Sequence, residues 1–225
     1  MGNRNAGNGN KKQAVVLLSG GLDSSTTLYL AKKSGFSCFC LIFDYGQRHH
    51  REIESAKRIA ETAHCHYRVI KLNFLHKGSA LLDRNVEVPK HGSGIPQTYV
   101  PARNIIFLSF ALFYAETIGA KAVFIGANAI DYSGYPDCRP QFYRAFRKAA
   151  ACGTKSGVEK RGIKIETPLI DKSKAEIIKL GDRLGVPFSL TWSCYRGGAH
   201  PCKRCDSCYY RRKGFKEAKI KDPLK

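Results

Sequence analysis

Short apolar runs rich in β-branched and aromatic residues recur along the chain and predict buried strands. The first run, residues 14–18, ends at Ser19-Gly20-Gly21, so this strand enters a tight turn. The other predicted strands are residues 38–43, 67–72, 122–125 and 163–167. Such continuous runs are typical of strands that are covered on both faces.

Between these runs, apolar residues return at helical spacing. In residues 50–63, for example, Ile53, Ala56 and Ile59 alternate with charged side chains. Helices are predicted at residues 24–33, 50–63, 103–118, 142–151 and 174–184. Repeated strand–helix–strand units predict a doubly wound parallel sheet, an α/β fold. Because ligands bind beyond the carboxyl ends of such strands, we expect a site after Leu18, Phe43 and Ile125.

Two regions depart from this alternation. Residues 76–100 have no steady period and predict a long loop, and residues 192–208 are rich in turns and cysteine. We therefore predict a disordered tail at residues 1–13, an α/β domain at 14–190 and a small module with a C-terminal helix at 191–225. A chain of 225 residues is long enough for this arrangement.

The charge balance is strongly basic, with 38 Lys and Arg against 18 Asp and Glu and a net charge of +20. One interpretation is a polyanionic partner such as tRNA or DNA, and the other is a basic chain that binds a small anion such as ATP. Neither a membrane-spanning run nor a secretory signal is evident. The odd count of nine cysteines argues against a disulfide framework, so we expect a cytoplasmic protein with reduced or metal-bound thiols.

The segment from Ser19 to Ser24 follows a predicted strand and opens a predicted helix, as phosphate-binding loops do. Glycine lets the backbone approach an oxyanion, and a helix N-terminus offers free N–H groups and the positive end of its dipole. A glycine-rich turn that only caps the helix is the alternative. The absence of a Walker A pattern excludes a kinase-type or GTPase-type P-loop. The predicted nucleotide-binding residues are Leu18, Ser19, Gly20, Gly21, Leu22, Asp23, Ser24, Ser25 and Thr26.

Four cysteines near the C-terminus, Cys194, Cys202, Cys205 and Cys208, have the spacing C-x7-C-x2-C-x2-C. A C-x2-C step lets two thiolates face one ion across a tight turn, and four thiolates complete the tetrahedral shell of structural zinc. An iron–sulfur cluster or unliganded thiols are the alternatives. Zinc is the metal that we predict.

A third polar group follows the predicted strand at residues 122–125. It includes Asn128, Asp131 and Asp137, together with two tyrosines and an arginine. The alternative interpretation is a capped polar loop. Cys138 has no evident histidine partner, so packing explains it better than nucleophilic catalysis. Core or surface roles suffice for the remaining cysteines.

The loop from Ser19 to Ser24 resembles the SGGxDS signature of the PP-loop ATP pyrophosphatases. Members of that superfamily cleave ATP between the α and β phosphates and transfer AMP to an oxygen of the substrate. The resemblance implies that Ser19, Gly20, Gly21, Asp23 and Ser24 hold the pyrophosphate.

Nearly the whole folded chain resembles one family, the 7-cyano-7-deazaguanine synthases of the queuosine precursor pathway. The resemblance is carried by SGGLDSST (19–26), DYGQRHHREI (44–53), VPARNIIFLSFA (100–111), GANAIDYSGYPDCR (126–139), TPLIDKSKAEII (167–178) and TWSCYRGG…CKRCDSCYYRRKGF (191–215). One departure is Lys203, which stands where the family usually has glycine after the second cysteine. A left-handed turn at Lys203 would be strained. We therefore expect the metal site to be present but to bind its metal less tightly.

The resemblance implies a ligase that converts 7-carboxy-7-deazaguanine and ammonia to 7-cyano-7-deazaguanine with ATP and Mg²⁺. By the same resemblance, Arg103 and Asn104 line the site and Lys172 faces phosphate. It further implies that Asp131, Tyr132 and Asp137 contact the purine-like ring. With Asp23, the predicted catalytic residues are Arg103, Asp131, Asp137 and Lys172. We expect a homodimer, although the sequence alone does not fix the oligomeric state.

Two rival functions remain at this point. The first is a tRNA-modifying PP-loop enzyme, which the net charge of +20 favours and the absence of an evident RNA-binding domain disfavours. The second is a zinc-knuckle nucleic-acid-binding protein on an inactive PP-loop, which the intact SGGLDS segment disfavours.

Overall fold

The predicted strands form one parallel sheet in the computed structural model, which describes residues 11–48, 50–74, 78–83, 85–89, 95–128 and 134–224. The strands are β1 (Gln13–Leu17), β2 (Ser37–Asp44), β3 (His66–Lys71), β4 (Ala122–Phe124) and β5 (Lys164–Glu166). Their order is β3-β2-β1-β4-β5, and each neighbouring pair is parallel. The doubly wound parallel sheet expected from the alternation is therefore confirmed.

The predicted helices are also present in the described residues, together with one short helix that the sequence did not predict. They are α1 (Leu22–Lys33), α2 (Arg51–Thr62), α3 (Arg103–Thr117), α4 (Pro140–Gly153), the short α5 (Lys155–Val158), α6 (Lys174–Arg183) and α7 (Asp206–Ala218). Two 3₁₀ turns occupy Pro136–Cys138 and Phe188–Leu190. The described parts of residues 76–100 contain turns but neither helix nor strand, in agreement with the predicted loop.

The side chains of β1 show why both faces of the sheet are covered. Val15 and Leu17 point to one face, where they join the core that includes Leu108 of α3. Val16 points to the other face, where it joins the core that includes Leu28 of α1. Because alternate residues of a strand point to opposite faces, an unbroken apolar run serves two cores at once.

The C-terminal segment packs onto the α/β sheet domain through α7. Gly214 of α7 lies so close to α6 that a Cβ atom there would come within 2.6 Å of Lys174 Cγ. Arg211 is buried, pairs with Asp222 at 2.7 Å and donates to the Thr191 hydroxyl at 2.9 Å. These contacts anchor the segment, while the division of the chain at residue 191 stays a prediction.

None of the helices in the described ranges has the length and the hydropathy that crossing a lipid bilayer requires.

Candidate active site

The carboxyl ends of β1, β2 and β4 open on one cavity of about 580 Å³. This is where an open parallel sheet places its ligands, and the volume is that of a small-molecule site. Leu18, Phe43 and Ile125 line it, as expected from the ends of the predicted strands. Its other walls include Tyr45, Glu52, Arg103, Asn104, Phe107, Tyr135, Lys174, Trp192 and Asp206.

The N-terminus of α1 opens on this cavity. Gly21 is the N-cap residue, and no side chain in the described residues caps the helix. The first N–H groups of a helix have no partner within the helix, so they are available to an anion. Ser19 and Ser24, whose hydroxyl oxygens are 3.0 Å apart, stand beside these groups and also line the cavity.

Gly20 is required by packing. Its backbone has φ of +80°, and a Cβ atom there would lie 2.5 Å from the carbonyl oxygen of Glu52 and 2.7 Å from the backbone nitrogen of Ala56. Only glycine avoids both the left-handed strain and the clash. The loop therefore rests directly on the first turns of α2.

The predicted nucleotide-binding residues divide into two groups. Six of them line the cavity, namely Leu18, Ser19, Gly21, Leu22, Asp23 and Ser24. Gly20, Ser25 and Thr26 are absent from its lining. The hydroxyl of Ser25 donates to the Gly21 carbonyl at 2.7 Å, and that of Thr26 donates to the Leu22 carbonyl at 2.8 Å. These two side chains are buried within α1 and hold its first turns together.

Asp23 is paired with a lysine that the sequence interpretation missed. Lys174 Nζ donates to both carboxylate oxygens of Asp23, at 2.8 and 2.7 Å, and lines the cavity. The predicted Lys172 is not in the cavity lining but borders a separate surface pocket with Glu176 and Lys179. A sequence signal for Lys174 existed, because Ser173 and Glu176 form a capping box that places Lys174 in the first turn of α6.

Arg103 enters the cavity from the first turn of α3. Its Nη1 donates to the hydroxyl of Tyr45 at 3.5 Å, and both side chains line the cavity. The residue before it, Ala102, adopts the left-handed conformation with φ of 54°, which is strained for a residue with a Cβ atom. The chain thus enters α3 through a strained residue directly beside the site.

Asp137 has a structural contact that the sequence did not indicate. Its Oδ2 accepts the backbone N–H of Asn104 at 2.9 Å, so it caps α3 from a distant 3₁₀ turn. Asn104 Nδ2 donates to the Asp137 carbonyl at 3.3 Å and to Cys138 Sγ at 3.1 Å. Asp137 is buried and does not line the cavity, whereas Asn104 and Cys138 do.

Glu52, which sequence reasoning did not single out, lines the cavity from the first turn of α2. Burial raises the pKa of its carboxyl to about 7, against the opposing effect of Arg103 and with a smaller raising contribution from Cys194. A partly buried carboxylate in a cleft is a candidate functional group. Its position in a charged, amphipathic helix gave no signal of this, because solvent-facing glutamates look the same in sequence.

Two predicted site residues, Asp131 and Tyr132, fall outside the described residues.

The four predicted metal ligands come together. The sulfur atoms of Cys194, Cys202, Cys205 and Cys208 all lie within 4.8 Å of one another. The backbone N–H groups of Arg196 and Cys202 donate to Cys194 Sγ at 3.4 and 3.3 Å, and that of Cys205 donates to Cys202 Sγ at 3.4 Å.

The sulfur atom of Cys194 is held in a setting that favours the thiolate. Hydrogen bonds from Cys205, Cys208 and the backbone hold the pKa of Cys194 far below its usual range. Backbone N–H donors to sulfur orient metal ligands and stabilise their charge, so the donor set fits a four-coordinate soft metal such as zinc. Lys203, between two of the ligands, has φ of 60°, so the left-handed turn anticipated from the sequence is present without its glycine.

The cysteine cluster is joined to the loop at residues 19–24, which we call the phosphate loop after its predicted role. The backbone N–H of Trp192 donates to the Gly20 carbonyl at 2.9 Å, and its indole Nε1 donates to the Cys194 carbonyl at 3.0 Å. Arg51 lies over the Trp192 ring, with 4.7 Å between its guanidinium carbon and the ring centroid. A metal bound at the cysteines would therefore stabilise one wall of the cavity.

Comparisons with known proteins show the family of this chain. The model of the queuosine biosynthesis protein QueC family matches residues 13–219. A 7-cyano-7-deazaguanine synthase from Saccharophagus degradans is 53% identical over 219 residues, which cover 95% of this chain and 97% of the relative. One from Coxiella burnetii is 56% identical over 222 residues, which cover 94% and 96%, respectively.

Among solved structures, the NMN synthetase from Francisella tularensis covers 94% of this chain and 88% of its own, with a TM-score of 0.51. At 14% identity this likeness shows the fold alone. The family model and the curated relatives, in contrast, extend over almost the whole chain and confirm the resemblance carried by the motifs. The chain therefore belongs to the queuosine biosynthesis protein QueC family.

Proposed function

We propose that the chain converts 7-carboxy-7-deazaguanine and ammonia to 7-cyano-7-deazaguanine in an ATP-dependent reaction of queuosine biosynthesis. The observation that carries the proposal is one cavity lined both by the uncapped N-terminus of α1 and by Arg103. The first suits the phosphates of ATP, and the second suits the carboxylate of the substrate. The names of the curated relatives support the same reaction.

The chemistry explains why ATP is needed. A carboxylate is a poor electrophile because its charge repels the nucleophile and oxide is a poor leaving group. Transfer of AMP to a carboxylate oxygen releases pyrophosphate, and ammonia then displaces AMP to form the amide with loss of a proton. A second transfer of AMP, to the amide oxygen, lets AMP and the remaining N–H protons depart and leaves the nitrile.

The residues of the chain bind and orient these reactants. The N–H groups at the start of α1, together with Ser19 and Ser24, would hold the phosphates, and Lys174 replaces Lys172 as the lysine that faces them. Arg103 would bind the carboxylate through its planar fork. Asp23 would be an oxygen ligand of Mg²⁺, and the ion would neutralise the charge of the departing pyrophosphate.

Three further assignments belong to the proposal. Asp131 and Tyr132 stay predicted contacts of the deazaguanine ring, and Asp137 becomes a positioning residue that acts through Asn104 and Arg103. Zn²⁺ would occupy the four cysteines and serve structure, because four thiolates leave no open coordination position. Reduced thiols in these roles fit a cytoplasmic enzyme.

We also propose a homodimer. Ile105 and Phe113 of α3 are 43% and 63% exposed, and Val158 of α5 is 69% exposed. Large exposed apolar side chains on a helix are typical of protein interfaces. Light scattering during size exclusion should give a dimer for the wild type and a monomer for Phe113→Lys; a monomeric wild type would contradict the proposal.

The direct test is mass spectrometry after incubation with 7-carboxy-7-deazaguanine, ammonium and Mg-ATP. The expected product is the nitrile, with the amide as a transient species and only mild dependence on salt. The net charge of +20 keeps the tRNA-modifying function as the second candidate. Reaction of tRNA, with steep loss of activity as salt rises and no reaction of the free base, would establish that function instead.

A further inference from the structure

Two opposite charges share the cavity without forming an ion pair. Glu52 enters from α2 and Arg103 from α3, and both line the cavity. Within the part of the chain that the structure describes, no hydrogen bond or ion pair engages the Glu52 carboxylate. Asp23, also in this cavity, differs in this respect because Lys174 neutralises it. Glu52 is therefore a carboxyl group that faces the cavity without a hydrogen-bonded or ion-paired partner among the described residues.

The backbone around Glu52 is held in place. Its carbonyl oxygen would be only 2.5 Å from a Cβ atom at Gly20, so the first turn of α2 rests on the phosphate loop. On the other side, Arg51 donates to the Ala199 carbonyl at 2.8 Å and lies over Trp192. Glu52 thus lies between the phosphate loop and the cysteine module, at a position that the helix cannot easily leave.

We propose that Glu52 is the anionic side of an ammonium-binding subsite, which places the nitrogen donor beside the carboxylate that Arg103 binds. This inference rests on the proposed function and deepens it, since it assigns the subsite of the second substrate. Ammonia is mostly protonated at neutral pH, so the species that enters the cavity is a small cation. A carboxylate that forms no ion pair with a protein cation attracts such a ligand, and it can accept the proton that ammonium loses before the nitrogen attacks.

The arrangement has a chemical purpose. Arg103 would hold the carboxylate, the α1 N-terminus would hold the phosphates, and Glu52, which adjoins that loop through Gly20, would hold the nitrogen donor near both. Bringing two reactants together in this way replaces a bimolecular encounter by a reaction between bound neighbours. Burial raises the pKa of Glu52, and a cation bound beside it would favour the ionised carboxylate again.

Steady-state kinetics of Glu52→Gln test the subsite. The KM for ammonium should rise about tenfold or more, as expected when one partner of a buried charge pair is removed. The KM values for ATP and for the deazaguanine carboxylate should stay within about twofold of wild type, because other residues bind these substrates. Hydroxylamine, a nucleophile that is neutral at pH 7, should react with similar efficiency in variant and wild type.

Two further variants complete the design. Glu54→Gln changes an exposed glutamate of the same helix that pairs with Lys57, and it should leave every constant unchanged. Glu52→Asp keeps the charge but withdraws it by one methylene group, and its KM for ammonium should lie between those of wild type and Glu52→Gln. It also keeps the test available if Glu52→Gln folds poorly.

The outcomes separate this inference from the proposed function. A wild-type enzyme without turnover on the free base would contradict the proposed function itself. Wild-type turnover with an unchanged KM for ammonium in Glu52→Gln would overturn the subsite. A rise in the KM for the deazaguanine would overturn it as well, because Glu52 would then bind the N–H edge of the base.

Discussion

Lys174 Nζ donates to both carboxylate oxygens of Asp23, at 2.8 and 2.7 Å, across 151 positions of sequence. The pair joins the first turns of α6 and α1. Both are helix N-termini, where the positive end of the helix dipole lies. A carboxylate there balances the local charge and holds the ammonium group of the lysine at the wall of the cavity.

The proposed role of Lys174, in place of Lys172, as the lysine that faces the phosphates of ATP gives the first prediction. Lys174→Met should lower ATP-dependent turnover about 100-fold or more, because a charge that stabilises the departing pyrophosphate is lost. Asp23→Ala should fold and lose turnover similarly. Lys172→Met is the matched control and should remain active; the reverse ranking of the two lysine variants would contradict the assignment.

The second prediction concerns the cysteine cluster. Cys205→Ser should lose bound metal and much of the soluble yield, since metal-coupled folding is worth about 10–16 kcal/mol in small zinc modules. Metal content by mass spectrometry and thermal unfolding measure both effects. Cys152→Ser changes an exposed cysteine and should behave as wild type. Full metal content in Cys205→Ser would show that the cluster is not the metal site.

The third prediction concerns the left-handed turn at Lys203. A residue with a Cβ atom costs roughly 1–2 kcal/mol in this conformation. Substitution by glycine removes this cost, but the unfolded chain then has more conformational freedom, which offsets part of the stabilisation. Lys203→Gly should therefore raise the free energy of unfolding by up to about 1 kcal/mol and slow metal release to a chelator. Lys203→Val should do the opposite.

Lys219 is a matched control for this effect. It also has a left-handed backbone, with φ of 59°, but it ends α7 away from the cysteine ligands. Lys219→Gly should stabilise the fold without changing metal release. Equal metal release in wild type, Lys203→Gly and Lys203→Val would contradict a link between the strained turn and the metal site.

The fourth prediction distinguishes a positioning role of Asp137 from contact with the substrate. Asp137→Ala removes the cap of α3 and should lower the free energy of unfolding by about 1–2 kcal/mol. Asp137→Asn keeps an acceptor but loses its charge, so its stability should lie between Asp137→Ala and wild type.

Both Asp137 variants should bind ATP normally and lose turnover, because Arg103 begins the helix that Asp137 caps. Binding of ATP is measured by calorimetry, alongside the unfolding curves. Wild-type stability of Asp137→Ala, together with a raised KM for the deazaguanine, would show that Asp137 contacts the substrate directly.

Local patterns are enough to predict the strands, most of the helices and two candidate sites of this protein. The strands at residues 14–18 and 38–43 were recognised because a sheet covered on both faces needs continuous apolar runs. The clustering of the four cysteines is predictable because they come from one short segment, so that their spacing alone brings the sulfur atoms together. The SGGLDS loop was recognised because a strand, two glycines and a helix start are consecutive in sequence.

Only the tertiary structure decided which distant side chains meet. The sequence interpretation named Lys172, whereas the packing of α6 on α1 makes Lys174 the partner of Asp23. Asp137 became the cap of α3, and Glu52 was placed in the same cavity as Arg103. These contacts depend on how the helices pack over the sheet. A short stretch of sequence does not determine that packing. Motifs whose residues are close in sequence can therefore be predicted from the sequence. The pairing of charged side chains across the site is determined only by the folded structure.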